Sequence, residues 1–494
     1  MFSPLPPCAT GIADYTAELL PLLSEELDVD VYIDDYVPDP LQAGVRVRNW
    51  RLFESTLERE GYDVVVYQMG NSAYHEYMYP LAMRYPGVLV LHEMVLHHLV
   101  FGSTAAAGRW ELYLRAMLEA HGRSGLEAAR RAATGGPAPS FFEYPLSAGV
   151  IRRSAAIVVH SQFMRNAVQE IAPDIPTHVV PLHVAFESPE NAVHASSGTS
   201  VRTDLGLRED EYLIGCFGLA SPHKRLEVVL RAVRWLVPSV PNTRLVIVGE
   251  ASPDYNFRAI IDQLGLSEHV TFTGRTSLAD FRRYLEAMDV TVALRYPTGG
   301  ETSASLVRML AAGKATLTSR IGWFAELPDI VCPKIDVDEF EETTLFVLLH
   351  LLYSRPDLRH RLGANARAYA QRNHSVSDTA RAYQQVIAET PVFDGCLNDD
   401  ELTRAFFRTF VGGLESPPGG IRGNHTGWRP APPRSSLPPT FVRQLASALL
   451  AADLMPEPGS AFERGLAEAA LSLACDVKLP VMPPESPRMT KLVL

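Results

Sequence analysis

The stretch DVTVALRYPTGGETSASLVRMLAAGKATLTS, residues 289–319, has the pattern of a strand, a turn, a helix and a second strand. Its apolar runs at 289–294 and 315–319 are continuous rather than alternating, as in strands that are covered on both faces. A proline and two glycines follow the first run, and the next apolar residues recur at helical spacing. This order predicts one unit of a parallel sheet.

Short apolar runs of the same kind recur along the chain in two series. They lie at 29–33, 63–69, 87–92, 155–160 and 177–182, and then at 212–218, 244–249, 269–274, 289–294 and 315–319. Longer segments with helical spacing separate them. The sequence therefore predicts an α/β protein with two doubly wound, Rossmann-like domains, at residues 1–190 and 209–391, joined by a polar linker at 191–208.

The two ends of the chain depart from this pattern. Only a short segment that begins MFS precedes the turn at PPCATG, so we expect either that a first strand is missing or that the true start lies upstream. Residues 392–494 are predicted to form a Pro/Gly-rich tether, densest at 415–439, and then a helical extension. The apolar stripe of Phe441, Leu445 and Leu449 indicates a helix that packs on the body of the protein or docks a partner or a membrane surface.

Composition excludes several classes of function. The 494 residues carry a formal net charge of −12, so a nucleic-acid partner is not expected. The five cysteines lie far apart without a CxxC pair, which favours reduced thiols and predicts no metal site. The sequence shows neither a secretion signal nor a run of eighteen uncharged apolar residues. We therefore predict a cytoplasmic protein that does not span a membrane.

Polar side chains gather where the helix of the opening stretch begins. In open α/β sheets, ligands bind beyond the carboxyl ends of the strands, where loops lead into helix N-termini. Gly300 would let the backbone approach a phosphate, and Thr302 and Ser303 would supply amides and hydroxyls. Glu301 suits the hydroxyls of a sugar. The cluster predicts a site for a nucleoside diphosphate sugar, with a capped helix and a solvated Glu301 as the structural alternative.

A second candidate lies in FGLASPHKRLEVVLRAVRWL, residues 217–236, where Lys224 and Arg225 are predicted to open an amphipathic helix. A cation at a helix start costs about 0.3–1 kcal/mol, so two together indicate a nearby anion or full exposure to solvent. We expect the Lys224 ammonium group and the amides of Thr302 and Ser303 to converge on one diphosphate.

Two features of the N-terminal part are expected on the opposite side of this site. Gly11 stands at the entrance of a helix that continues to about residue 26. His92 ends a buried strand, where its imidazole would hydrogen-bond a sugar or only the neighbouring backbone. HEMVLH at 92–97 is not the zinc motif HExxH, because position 96 is leucine. No metal ligand is predicted.

A series of spaced motifs resembles the family-4 retaining glycosyltransferases of the bacterial type. In chain order these motifs are TGIADYTAELL, GVLVLHE, VVHSQFM, FGLASPHKRLEVVLRA, RLVIVGEA, HVTFTGRTS and RYPTGGETSASLVRMLAAGKATLTS, and they cover roughly residues 5–390. The resemblance implies the GT-B architecture, in which two Rossmann-like domains face each other across a cleft. Here a C-terminal Pro-rich and helical extension would follow.

The resemblance also implies roles for individual residues. Lys224 would contact the diphosphate, while Glu301 and His92 would lie at the donor sugar; these three are the catalytic candidates. The donor-binding candidates are Gly11, Lys224, Arg225, Gly274, Arg275, Gly300, Glu301, Thr302, Ser303 and Arg308. Gly11 corresponds to the family's N-terminal glycine loop. Gly274 and Arg275 fall where members of the family place backbone against the base.

Two positions depart from the family pattern. Leu219 stands where the family has an arginine beside the glycine of the phosphate turn. The family's second glutamate, often a ligand of ribose, is missing, since the corresponding count reaches Arg308 or Met309. Arg308 would bind ribose or phosphate in a different way.

The resemblance implies transfer of a hexose from a nucleoside diphosphate sugar, the co-substrate, with retention of anomeric configuration and without a metal or other cofactor. The acceptor would be a carbohydrate, a glycolipid or a small molecule. The alternative is a catalytically inactive nucleotide-sugar-binding or scaffold protein that acts through its C-terminal extension.

Overall fold

A computed structural model of the chain describes residues 1–41, 44–186, 201–253, 255–393 and 395. We call residues 1–186 the N-terminal half and residues 201–393 the C-terminal half. The predicted tether and the apolar stripe around Phe441 lie outside the described residues, as does most of the predicted linker. Within the described ranges, every helix falls short of the length or apolarity that a membrane span requires.

In the N-terminal half, strands and helices alternate along the chain. The elements are α1 Gly11–Leu23, β1 Val29–Ile33, β2 Val45–Asn49, α2 Phe53–Glu60, β3 Val66–Met69, α3 Tyr79–Arg84, β4 Val88–Leu91, α4 His97–Ser103, α5 Trp110–Ala133, α6 Ala148–Arg153, β5 Ala156–Val159, α7 Gln162–Ile171 and β6 Thr177–Val179. Strands β3, β4, β5 and β6 form a parallel sheet in that order, and β1 pairs with β2 in parallel.

Residues 1–3 occupy the place where a first strand was expected. The amide of Phe2 donates to the carbonyl of Val66 at 2.7 Å, and the carbonyl of Phe2 accepts from the amide of Gln68 at 2.9 Å. Phe2 also forms parallel bridges to Tyr32 of β1 and Tyr67 of β3, and its buried ring lies 5.1 Å from each of their rings. The short N-terminal segment thus joins the β1–β2 pair to the larger sheet.

The C-terminal half repeats this alternation. Its elements are α8 Val201–Asp204, β7 Tyr212–Phe217, α9 Leu226–Leu236, β8 Thr243–Val248, α10 Phe257–Gln263, β9 Val270–Gly274, α11 Leu278–Ala287, β10 Val290–Ala293, α12 Ala304–Ala311, β11 Ala315–Ser319, β12 Lys334–Ile335, α13 Glu341–Ser354, α14 Pro356–Asn373 and α15 Val376–Glu389. The parallel sheet has the order β12-β11-β10-β7-β8-β9.

All ten predicted apolar runs overlap a strand, and both sheets are parallel, so the predicted fold class is confirmed. Strands β2 and β12 were not predicted. The first reads VRVRN, which lacks a continuous apolar run, and the second has only two residues.

Helix α15 returns to the N-terminal half although it follows the second sheet in the chain. It packs against α1, where the Tyr15 hydroxyl donates to the Tyr383 hydroxyl at 2.9 Å. The predicted boundaries count this helix among the closing helices of the C-terminal domain. A helix that lies in the C-terminal half of the sequence thus packs on the N-terminal half.

Candidate functional site

The site is built around the N-terminus of α12. The hydroxyl of Ser303 caps this helix by accepting from the amide of Leu306 at 3.3 Å. The Ser303 and Ser305 hydroxyls lie 3.1 Å apart. Thr302 is buried, and its hydroxyl oxygen has no hydrogen-bond partner among the described residues. A buried hydroxyl without a partner is costly, so a ligand here would gain a ready donor.

Lys224 approaches the same helix start from the loop after β7. Its ammonium nitrogen donates to the carbonyl of Phe217 at 2.8 Å. A Cβ atom built on Gly218 would lie 2.4 Å from Lys224 Nζ and 3.5 Å from Ser305 Oγ. The ammonium group and the first turn of α12 therefore border the same glycine.

The local structure at Lys224 differs from the predicted helix start. Pro222–Lys224 form a 3₁₀ turn, Arg225 adopts a left-handed conformation with φ 55°, and α9 begins only at Leu226. Lys224 thus precedes the helix and does not open it. The argument from cations in a first helical turn consequently does not apply to it.

The ammonium group of Lys224 loses its proton more readily than that of an ordinary lysine. The pKa of its ammonium group is lowered to about 7, chiefly by burial and also by the neighbouring Arg295, whereas Cys216 and Glu301 act in the opposite direction. An anionic ligand at this position would restore the proton. A bound diphosphate would therefore stabilise the charged form of Lys224.

Glu301 is held by its own loop. Its Oε1 lies 2.8 Å from Arg295 Nε, while Oε2 accepts from the Gly299 amide at 2.8 Å and from the Thr298 hydroxyl at 3.1 Å. The carboxylate is only partly exposed, so the predicted solvated Glu301 does not describe it. Arg295 was missed by sequence reasoning, although its position just after β10, at the carboxyl edge of the sheet, is a signal that could have identified it.

Arg225, a predicted donor ligand, has another partner. Its guanidinium group forms a two-point ion pair with the buried Glu341, with Nε 2.9 Å from Oε1 and Nη2 in contact with Oε2. The same group lies 5.7 Å from the ring of Tyr296. Its charge is already matched by a carboxylate, which argues against a direct role at the diphosphate.

His92 is enclosed by protein. The Val180 carbonyl accepts from His160 Nδ1 at 2.7 Å, and His160 Nε2 lies 3.1 Å from His92 Nδ1. His92 Nε2 lies 2.8 Å from the side-chain oxygen Oε1 of Gln68. Burial and the neighbouring His160 hold the pKa of His92 well below its usual value. Since both ring nitrogens are engaged, the structural alternative fits this histidine better than a sugar contact.

The other candidates divide between the helix start and the edge of the C-terminal sheet. A Cβ on Gly11 would lie 3.8 Å from the Cβ of Ala304, so the glycine loop of α1 faces the start of α12. Gly274 ends β9 with φ 71°, and its carbonyl accepts from the Gly249 amide at 3.1 Å. Arg275 is exposed, and its charge acts on Asp14 of α1.

Several contacts hold the two halves together around the loop before α12. Arg308 Nη2 donates to Glu18 Oε1 at 3.0 Å, and the Met94 amide donates to the Gly299 carbonyl at 2.7 Å. A Cβ on Gly300 would lie 2.5 Å from the sulfur of Met164. The described arrangement therefore has a closed cleft, with the loop of Gly299 and Gly300 packed against the N-terminal half.

Comparison with known structures identifies the fold. The glycosyltransferase WaaG of lipopolysaccharide biosynthesis aligns with a TM-score of 0.54 and 16% identity over 79% of this chain and 98% of its own. Anabaena HepE, in complex with UDP and glucose, aligns with a TM-score of 0.54 and 15% identity over 78% and 98%. The chain is thus an α/β protein of the GT-B class.

The family is indicated by the C-terminal half. Residues 199–369 match the family described as Glycosyl transferases group 1. A D-inositol 3-phosphate glycosyltransferase of Mycobacterium ulcerans (strain Agy99) is 36% identical over 101 residues, which are 19% of this chain and 21% of that protein. The match thus spans about a fifth of that relative's length. Residues 199–369 are therefore similar to the group 1 glycosyltransferases, within a chain that has the GT-B fold.

Proposed function

We propose that the protein transfers a hexose from a nucleoside diphosphate sugar to a carbohydrate, glycolipid or small-molecule acceptor, with retention of configuration and without a metal ion. The observation that carries the proposal is the meeting of Lys224 Nζ and Ser305 Oγ at Gly218. One cation and one helix N-terminus on the same side of a cleft are suited to a diphosphate.

In this proposal the protein stabilises the departing diphosphate. Lys224, its ammonium group beside the start of α12, would neutralise one phosphate. The amides of Thr302 and Ser303, with the unpaired Thr302 hydroxyl, would bind the other. A preorganised hydrogen-bond donor of this kind is typically worth about 2.7–4 kcal/mol in the transition state. Fixed protein charges would thereby supply what a metal ion supplies in other transferases.

Glu301 would bind the sugar hydroxyls by exchanging its present loop contacts. Its Oε2 accepts from the Gly299 amide and the Thr298 hydroxyl, and a sugar hydroxyl can replace either donor. Arg295 would keep the carboxylate charged and oriented. The acceptor would attack from the face that the diphosphate leaves, with a departing phosphate oxygen as the base, which retains the configuration. We assign no protein nucleophile.

In this proposal the contacts to the base follow the family pattern and those to the ribose do not. Gly274 and Arg275 would lie against the base, as the family resemblance implies. The ribose would not contact a second glutamate, because this chain lacks that residue. Arg308, at or next to the corresponding position, is paired with Glu18. Ribose recognition would therefore differ from the family pattern.

One observation favours the alternative of a binding protein without catalysis. Glu301 is engaged by Arg295, Gly299 and Thr298 in the closed cleft. A transferase releases a nucleoside diphosphate, whereas a binding protein without catalysis does not. A thermal-shift screen of nucleotide sugars tests binding, because a ligand stabilises the folded state by mass action. Release of free nucleoside diphosphate in the presence of acceptors then tests transfer; a stabilising donor that is never turned over would favour the alternative.

A further inference from the structure

A second carboxyl group faces Glu301 from the opposite side of the cleft. Glu93 follows β4, in the loop where the Met94 amide donates to the Gly299 carbonyl at 2.7 Å. A Cβ built on Gly299 would lie 3.4 Å from Glu301 Oε2 and 3.5 Å from Glu93 Oε2. Two carboxyl groups, one from each half of the protein, thus border a single glycine.

The surroundings of Glu93 disfavour a negative charge on its carboxyl group. The pKa of its carboxyl group is raised to about 8, chiefly by burial and also by the charge of Glu301, while Asn71 and Arg295 oppose the shift. The backbone amide of Asn71 donates to Glu93 Oε1 at 3.2 Å, and Glu93 Oε2 faces Gly299. At neutral pH the group therefore holds a proton and can donate a hydrogen bond.

The two groups are chemically complementary. Glu301, paired with Arg295 at 2.8 Å, is a carboxylate that only accepts hydrogen bonds, whereas protonated Glu93 can donate one. A hydroxyl group both donates and accepts. A polyol between these side chains could therefore satisfy both, which neither a phosphate nor an apolar group could do.

We propose that Glu93 is a further binding residue of the active site and that the transferred sugar lies between Glu93 and Glu301. The inference rests on the proposed function and names the group that would contact the sugar from the N-terminal half. A purely structural role is less consistent with the geometry, because Glu93 lies beside a like charge and its Oε2 faces the glycine of the opposing loop.

The test compares binding of nucleotide sugars with binding of the corresponding free diphosphates. Calorimetric titrations use UDP-glucose, UDP-N-acetylglucosamine, GDP-mannose and ADP-glucose, with UDP, GDP and ADP as references. The proteins are the wild type, Glu93→Ala, Glu93→Gln and the control Glu58→Ala, whose side chain is exposed on α2. Thermal melting of each variant verifies folding.

In Glu93→Ala the preference for the nucleotide sugar over its diphosphate should fall about tenfold, which corresponds to about 1.4 kcal/mol. Affinity for the free diphosphate should stay unchanged. Glu93→Gln should keep most of the preference, because an amide also donates and accepts. Glu58→Ala should match the wild type.

Other results separate the inference from the proposed function. An unchanged preference in Glu93→Ala overturns the role of Glu93 and leaves the transferase proposal intact. Equal losses for sugar and diphosphate indicate a distorted loop and also overturn the role. A wild-type protein that binds none of these ligands counts against the proposed function itself, and the inference falls with it.

Discussion

Arg308 in the C-terminal half is paired with Glu18 in the N-terminal half, with 3.0 Å between Nη2 and Oε1. Both side chains are largely buried, with 9% and 14% exposure. Glu18 Oε2 also accepts from the Ala185 amide at 3.1 Å. One of the two counts along the family pattern reaches Arg308 in place of the second glutamate, and in the structure this residue joins the two halves of the protein.

Removal of either member of this pair should destabilise the protein. Arg308→Ala leaves a buried carboxylate and Glu18→Ala a buried guanidinium, each at a cost of up to about 3 kcal/mol. Unfolding in urea should show that the double variant loses less stability than the two single losses combined. The exposed pair Arg123–Glu127, at 90% and 51% exposure, is the control and should show coupling below about 0.5 kcal/mol. Strict additivity at the buried pair would contradict this interpretation.

Lys224 should make donor binding depend on pH near neutrality. Its pKa is lowered to about 7 by burial, and a bound diphosphate would raise it again. A nucleotide sugar has no phosphate titration in this range, so its affinity should fall as the pH rises above about 7, by up to about tenfold per unit. Calorimetry in buffers of different ionisation enthalpy should detect proton uptake. Lys224→Met should abolish both effects, and a wild-type affinity that is flat between pH 6 and 9 would refute the assignment.

The same group predicts a stabilising substitution. Because the pKa of Lys224 lies near 7 in the folded state and at its ordinary 10.5 in the unfolded chain, the unfolded state binds more protons between these values. The free energy of unfolding should therefore rise with pH across this window in the wild type. Lys224→Met should lack that slope and should be more stable than the wild type at pH 7, while turnover is lost. A less stable variant would show that the ammonium group has a structural role.

The strands and the region of the site can be predicted from the sequence, but the partners of the charged residues cannot. The continuous apolar runs predict ten strands, because burial on both faces leaves a local signal in the sequence. The loops after these strands indicate the positions of Lys224 and Glu301. By contrast, the pairing of Arg225 with Glu341 joins residues 116 positions apart, and the sequence around either residue gives no signal of it. His92 is likewise enclosed by His160, which only the packing of β4 beside β5 brings near.

Glu301 and Lys224 should both be needed for turnover. Alanine at either position should lower kcat/KM by orders of magnitude, since one removes the carboxylate that we propose at the sugar and the other the cation that we propose at the diphosphate. Glu341→Gln is an informative control, because it disturbs the pair with Arg225, which we place outside the diphosphate contacts. Glu341→Gln should lower the free energy of unfolding, while kcat/KM should change far less than in the two alanine variants. Near-normal rates in both alanine variants, measured as release of nucleoside diphosphate, would remove the proposed mechanism.

Gly218 should be essential for the placement of Lys224. It has φ 92°, and a Cβ atom there would lie 2.4 Å from Lys224 Nζ. Gly218→Ala should therefore strain the backbone and displace the ammonium group, so that stability and diphosphate affinity fall together. Gly265 separates the two effects, because it has φ 66° and a Cβ atom there would meet nothing within 4 Å. Gly265→Ala should cost about 1–2 kcal/mol of stability from backbone strain alone, with unchanged affinity. If Gly218→Ala behaves in the same way as this control, the ammonium group does not need the space above Gly218 to bind the diphosphate.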